Sequence, residues 1–83
     1  MTLDQLAIGR KARIVAIDWS RLVEEEAQRL RALGFDEGAK IAVAHRGILA
    51  GSDPLAISIG RMTVALRRVH AGAMEVAPMD AGA

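Results

Sequence analysis

His45 and His70 are the only imidazoles in the chain, so they are the first residues to test for chemistry. They fall on separate predicted elements, and neither has a partner at ligand spacing such as His-x-x-x-His. A divalent metal would need tertiary closure to bring His45, His70 and a carboxylate together. Without that closure, His45 is a strand residue and His70 a loop residue. Nucleophilic chemistry would fall to Ser20, Ser52 or Ser58. None stands in a strand–turn–helix nucleophile setting, and Ser58 is on the outward face of a predicted strand. Gly47, Gly51 and Gly60 do not build a phosphate loop, because no Gly-Lys-Ser/Thr accompanies them and no helix opens behind them. Asp36 and Glu37 fit a turn better than a pair of acid–base carboxylates. Cysteine is absent, which removes thiol nucleophiles, thiolate metal sites and disulfides. No catalytic set emerges from these residues, and no cofactor is expected.

Binding is the remaining class of function. Arg10, Lys11 and Arg13 lie early in the chain, and Arg61, Arg67 and Arg68 lie late. If the first and last strands are neighbours, these cations form a patch suited to an acidic protein partner; dispersed, they serve solubility. Eleven basic and ten acidic residues leave a net charge of +1, too balanced for phosphate neutralisation to dominate. Trp19 and Phe35 are the only aromatics, too few for a base-stacking platform, so nucleic acid is not expected. Trp19 sits between Asp18 and Ser20 at a helix entrance. With Ser20 as N-cap, Trp19 takes the staple position, but its partner four residues into the helix would be Glu24. The ring is then packed on the core or partly exposed to a partner. The partner-binding candidates are Trp19, Arg61, Arg67 and Arg68.

The elements that position these residues follow from pattern. A chain of 83 residues supports one domain with a modest core. Thr2-Leu3-Asp4-Gln5 has the capping-box pattern of a short helical turn, with Leu3, Leu6 and Ile8 facing the core. The same stretch lacks a basic and then apolar leader, and no apolar run approaches a span, so a cytoplasmic location is expected. Lys11 to Ile17 predicts a strand with Ala12, Ile14 and Ala16 on one face and Arg13, Val15 and Ile17 on the other, covered on both sides. Asp18 or Ser20 would cap the next helix, whose apolar stripe is Val23, Ala27, Leu30 and Leu33. Glu24, Glu25 and Glu26 suit its N-terminal dipole, and Arg29 and Arg31 its C-terminal end. Glu25 and Arg29 are spaced for an ion pair. The acidic triplet reads as a solvated face.

The run Arg29-Leu30-Arg31-Ala32-Leu33-Gly34-Phe35-Asp36-Glu37-Gly38 ends that helix. Gly34 takes the left-handed position after the cap, and Phe35 then meets Leu30 in the apolar contact of a Schellman motif. Asp36-Glu37-Gly38 turns the chain. Lys40 to Arg46 predicts a strand with Ile41, Val43 and His45 on one face. Gly47 to Asp53 is a loop ending at Asp53-Pro54, where proline enforces extended geometry before it. Leu55, Ile57 and Ile59 face inward on the next strand. Gly60-Arg61 is a II′-type hairpin connection, and Met62, Val64 and Leu66 return. Arg68 to Ala73 forms a short turn, and Met74-Glu75-Val76 a closing strand. Residues 1–77 form the domain and 78–83 a frayed tail. The chain is mainly β with one helix. Antiparallel pairs on so small a scaffold close into a small SH3-like β-barrel with an inserted α-helix, which removes exposed edges.

These residues resemble a known family. Leu3-Asp4-Gln5-Leu6-Ala7-Ile8-Gly9 is similar to the N-terminal signature of the FeoA family. Arg29 to Gly38 resembles that family's central "RL-x-x-LG-hydrophobic-x-x-G" motif. Asp53-Pro54-Leu55-Ala56-Ile57, with Ile59-Gly60 and Val64-Ala65-Leu66-Arg67, resembles its "DP-hydrophobic … G … ALR" block. The resemblance runs from about Leu3 to Val76, and Leu30, Gly34, Phe35, Gly38, Pro54 and Gly60 carry it as structural positions. It implies an SH3-like barrel without enzymatic activity, acting in bacterial ferrous iron uptake beside a partner. That partner is the large FeoB-type membrane transporter with its cytosolic GTP-binding domain. The same barrel occurs at the C-terminus of DtxR-type iron-dependent repressors, so the alternative is a stand-alone metal-responsive domain.

Overall fold

The protein is described from a computed structural model, covering residues 1–45 and 53–79. Alternating apolar residues build five strands: β1 Lys11–Ile17, β2 Lys40–His45, β3 Leu55–Ile59, β4 Met62–Leu66 and β5 Met74–Pro78. They form one antiparallel sheet in the order β4-β3-β2-β1-β5. Helix α1 (Glu24–Ala32) joins β1 to β2, and a single turn, α2 (Arg68–Ala71), joins β4 to β5. Short 3₁₀ turns lie at Leu3–Gln5 and Trp19–Arg21. The inner face of the sheet, α1 and the N-terminal turn enclose one apolar core with no buried polar residue among the described residues.

Backbone pairing does not close this SH3-like barrel at its two edges. Among the described residues no ladder joins β4 to β5. The edge of β5 is covered by the N-terminus: the Val76 N–H donates to the Met1 carbonyl at 2.8 Å, and Thr2 bridges Glu75. The Met1 ammonium also pairs with the Glu75 carboxylate. On β4, the Arg29 guanidinium reaches down from α1 to the Ala65 carbonyl at 3.4 Å. Side chains and a terminal segment thus satisfy edge groups that a template for aggregation would leave open.

Two bulges decide which side chains face in. Between Ile14 and Ala16 the β1–β5 register shifts, so Ile14 opposes Val76 while Ile17 opposes Met74. Val15 is the extra residue. It is 51% exposed, and Ile17 turns back onto the core. The expected two-sided cover of β1 is therefore a change of phase along the strand, because a bulge flips every residue beyond it. Ala16, expected on the same face as Ala12 and Ile14, is exposed for the same reason. A second shift lies between Val43 and His45, so His45 opposes Ala56 instead of Leu55. His45, placed on the inward face by simple alternation, is exposed.

The helix differs from expectation at its start. Ser20 is not its cap: the Ser20 hydroxyl donates to the Asp18 carboxylate, and Trp19–Arg21 winds as a separate 3₁₀ turn. Val23 holds the N-cap position of α1 in extended geometry, with no side-chain cap bond. That geometry leaves Val23 71% exposed and puts Leu22 in the core instead. Ala27 and Leu30 are buried as the stripe predicts, and Leu33 packs on the core edge. At the other end the Schellman cap forms in full. The Phe35 N–H donates to the Leu30 carbonyl and the Gly34 N–H to the Arg31 carbonyl, both at 3.0 Å. Gly34 has φ +104°, and Leu30 and Phe35 are both fully buried, as the motif requires.

The β3–β4 hairpin turns on Gly60 at φ +60°, and no described non-glycine residue has positive φ, which fits the II′ form. Ile8, expected in the core, is 57% exposed beside Val43. The predicted loop at residues 47–53 lies, except for Asp53, outside the described residues. The tail expected from residue 78 begins inside the sheet. β5 runs through Pro78, and the Met79 N–H donates to the Lys11 carbonyl at 2.9 Å; residues 80–83 lie outside the described residues.

Candidate interaction surface

The sequence nominates Trp19, Arg61, Arg67 and Arg68 for binding, and the fold places Arg61 apart from Arg67 and Arg68. Trp19 is partly buried against the core edge, with the Arg31 guanidinium 4.1 Å from its ring centroid. This cation–π contact ties the 3₁₀ turn to the last turn of α1. It covers one face of the ring. Arg61 lies in the β3–β4 hairpin turn, and Arg67 and Arg68 follow β4 at its opposite end. Five strand residues put these ends roughly 20 Å apart at the usual rise. Arg68 opens α2, where its N–H donates to the Asp53 carboxylate at 3.0 Å. Arg67 precedes that turn, and its carbonyl accepts from the His70 and Ala71 N–H groups.

The cations at the start of β1 do not join Arg67 and Arg68 through the sheet. β1 and β5, the first and last strands, are indeed neighbours, but β2 and β3 lie between β1 and β4. What β1 does meet is Lys40 on β2, directly opposite Arg13. Lys40 was not among the residues nominated from the sequence. The only signal for it is the β1–β2 register, which is set across the α1 insertion and has no local marker.

The two histidines also stay apart in role. His45 ends β2 on the outer face. His70 is mostly buried on α2, with its Nδ1 3.6 Å from Glu26 Oε2 and without a hydrogen-bond partner. The other Glu26 oxygen accepts from Arg29 Nε. The ion pair is thus Glu26–Arg29 instead of the expected Glu25–Arg29. With the helix starting at Glu24, Glu26 is turned toward α2 and is more buried than Glu24 or Glu25. Arg29 thus ties α1 to β4 through the Ala65 carbonyl, with Glu26 on its other side and His70 of α2 packed nearby. Among the described residues no group of three or more His, Asp or Glu converges as a metal site. No helix there is long and apolar enough to cross a membrane.

The FeoA domain family matches residues 1–78. This chain belongs to the FeoA family. Its fold is similar to iron(II) transport protein A of Clostridium thermocellum, with a TM-score of 0.76 and 30% identity over 92% of this chain. The chain spans 44% of that protein's length. FeoA of Chlorobium tepidum gives a TM-score of 0.83 at 26% identity, covering 96% of this chain and 71% of that one. FeoA of Stenotrophomonas maltophilia, solved with zinc and described as a prokaryotic SH3 domain protein, gives 0.77 at 30% identity, covering 93% and 89%. No curated protein matches the chain. The FeoA resemblance of the three sequence blocks and the SH3-like fold are both met.

Proposed function

We propose that this FeoA-family chain is a non-enzymatic cytoplasmic accessory protein of bacterial ferrous iron uptake, which docks on a FeoB-type membrane transporter and its GTP-binding domain. The observation that carries the reading is the family match across residues 1–78. Relatives named for iron(II) transport support it. Iron enters as the cargo of the transporter. Among the described residues no three His, Asp or Glu side chains converge as a metal site, and His70 has one nearby carboxylate, Glu26, which Arg29 already engages.

Co-purification with the transporter from cells expressing both proteins tests docking, and deletion followed by iron uptake under anaerobic iron limitation tests the role. Co-purification and reduced uptake are expected; normal uptake without the gene would overturn the reading. The zinc complex of the Stenotrophomonas protein favours one alternative, a metal-responsive domain acting through His45 or His70. A divalent-metal titration followed by imidazole NMR decides it, and unmoved resonances of both rings at saturating metal refute it.

A further inference from the structure

On the outer face of the sheet, β1 and β2 bring cations together, and the described residues paired on these rungs include no acid. Ala12 and Ile41 are partners and both are buried, so the rungs on either side of them point outward. These rungs are Lys11 opposite Ala42 and Arg13 opposite Lys40. Arg13 and Lys40 are like charges directly across the ladder, an arrangement that destabilises a sheet. Lys11 is the diagonal neighbour of Lys40, on the order of 7–8 Å away. None of the ion pairs among the described residues involves Lys11, Arg13 or Lys40. Folding supplies no reason for this concentration.

Beside these cations the surface is concave. A groove of about 370 Å³ is lined by Lys11, Lys40, Ile41, Ala42, Ser58, Gly60 and Met79. Ala42 opposes Ser58 across β2 and β3, so the floor consists of small side chains over which a backbone can lie closely. Met79 is held at the groove by its N–H bond to the Lys11 carbonyl and offers an apolar contact at one wall. The result is an open trough with a small-residue floor, ammonium groups along it and one flexible apolar side chain.

We propose that this groove seats an extended acidic segment of the protein partner, whose carboxylates sit between Lys11, Lys40 and Arg13 and relieve their mutual repulsion. The proposal rests on the docking reading above and specifies the surface used. An acidic polypeptide fits better than nucleic acid, because the described residues of the groove include no aromatic side chain for stacking and the chain carries a net charge of only +1.

The test is a ¹H–¹⁵N NMR titration of the full chain with the transporter's cytosolic GTP-binding domain, repeated with Lys11→Glu/Lys40→Glu and with Lys11→Gln/Lys40→Gln. Both positions are exposed on the sheet surface, and spectral dispersion verifies that each variant is folded. The expected result is shifts centred on Lys11, Lys40, Ala42 and Ser58. Affinity should fall at least about tenfold in the Glu variant, fall less in the Gln variant, and weaken with added salt. Wild-type binding that maps elsewhere and survives both substitutions overturns the groove and leaves docking intact. Absence of wild-type binding overturns both. A parallel titration with a single-stranded DNA oligonucleotide that moves the same resonances more tightly overturns the choice of a protein occupant.

Discussion

Gly34 allows the link between one backbone angle and stability to be worked out in full. Its φ of +104° lies in the region that disfavours a Cβ. A Cβ built there meets nothing closer than Ile59 Cδ1 at 3.6 Å, which is ordinary contact. The cost of Gly34→Ala is therefore backbone strain alone, about 1–2 kcal/mol for a left-handed residue. Loss of chain freedom in the unfolded state offsets part of this, about 0.4–1 kcal/mol. The net is about 1 kcal/mol, and a domain of this size then melts roughly 4–8 °C lower. Gly34→Val should lose more, since a β-branched residue at positive φ is a steric outlier.

Gly72 provides the control. It caps α2 at φ −67°, and its Cβ would sit 3.5 Å from the Arg68 carbonyl oxygen. Alanine fits that conformation, so Gly72→Ala should leave the melting temperature unchanged or raise it by a few degrees, through about 0.4–1 kcal/mol of unfolded-state entropy. Thermal unfolding by far-ultraviolet circular dichroism, checked by urea midpoints, measures both. If Gly34→Ala and Gly72→Ala shift the midpoint in the same direction, the left-handed cap is not the reason for glycine at 34.

Two further outcomes follow from local geometry. Val23 occupies the N-cap of α1 with extended backbone and no cap bond. Val23→Ser should therefore stabilise by about 0.5–1 kcal/mol by accepting from a free first-turn N–H, read as a higher melting temperature; an unchanged or lower midpoint refutes the cap assignment. Trp19 is the single tryptophan, under the Arg31 guanidinium. Arg31→Ala should change its fluorescence emission and cost no more than about 1 kcal/mol; an unaltered spectrum would place Arg31 away from the ring.

The elements legible from sequence are those whose causes lie within a few residues. Leu30, Gly34 and Phe35 specify a helix stop because the cap bonds span only five positions. Gly60-Arg61 specifies a hairpin because glycine alone supplies the positive φ that the turn needs. Inward placement of Ile41, Val43, Leu55 and Ile57 follows from alternation, and the FeoA motifs carried the family. The candidate binding residues were less legible. Arg61, Arg67 and Arg68 look like a group when read along the chain, yet the length of β4 divides them.

What the sequence determined by itself was therefore the kind and order of elements, because helix caps, tight turns and side-chain alternation are local. The tertiary structure decided the rest. His45 points outward and Ile17 inward because bulges at Ala44 and Val15 exist only against partner strands with one residue fewer. Lys40 faces Arg13 because β1 and β2 pair across α1 in one register. A charge pair of that kind depends on the ladder that brings two distant segments together, and no spacing along the chain encodes it.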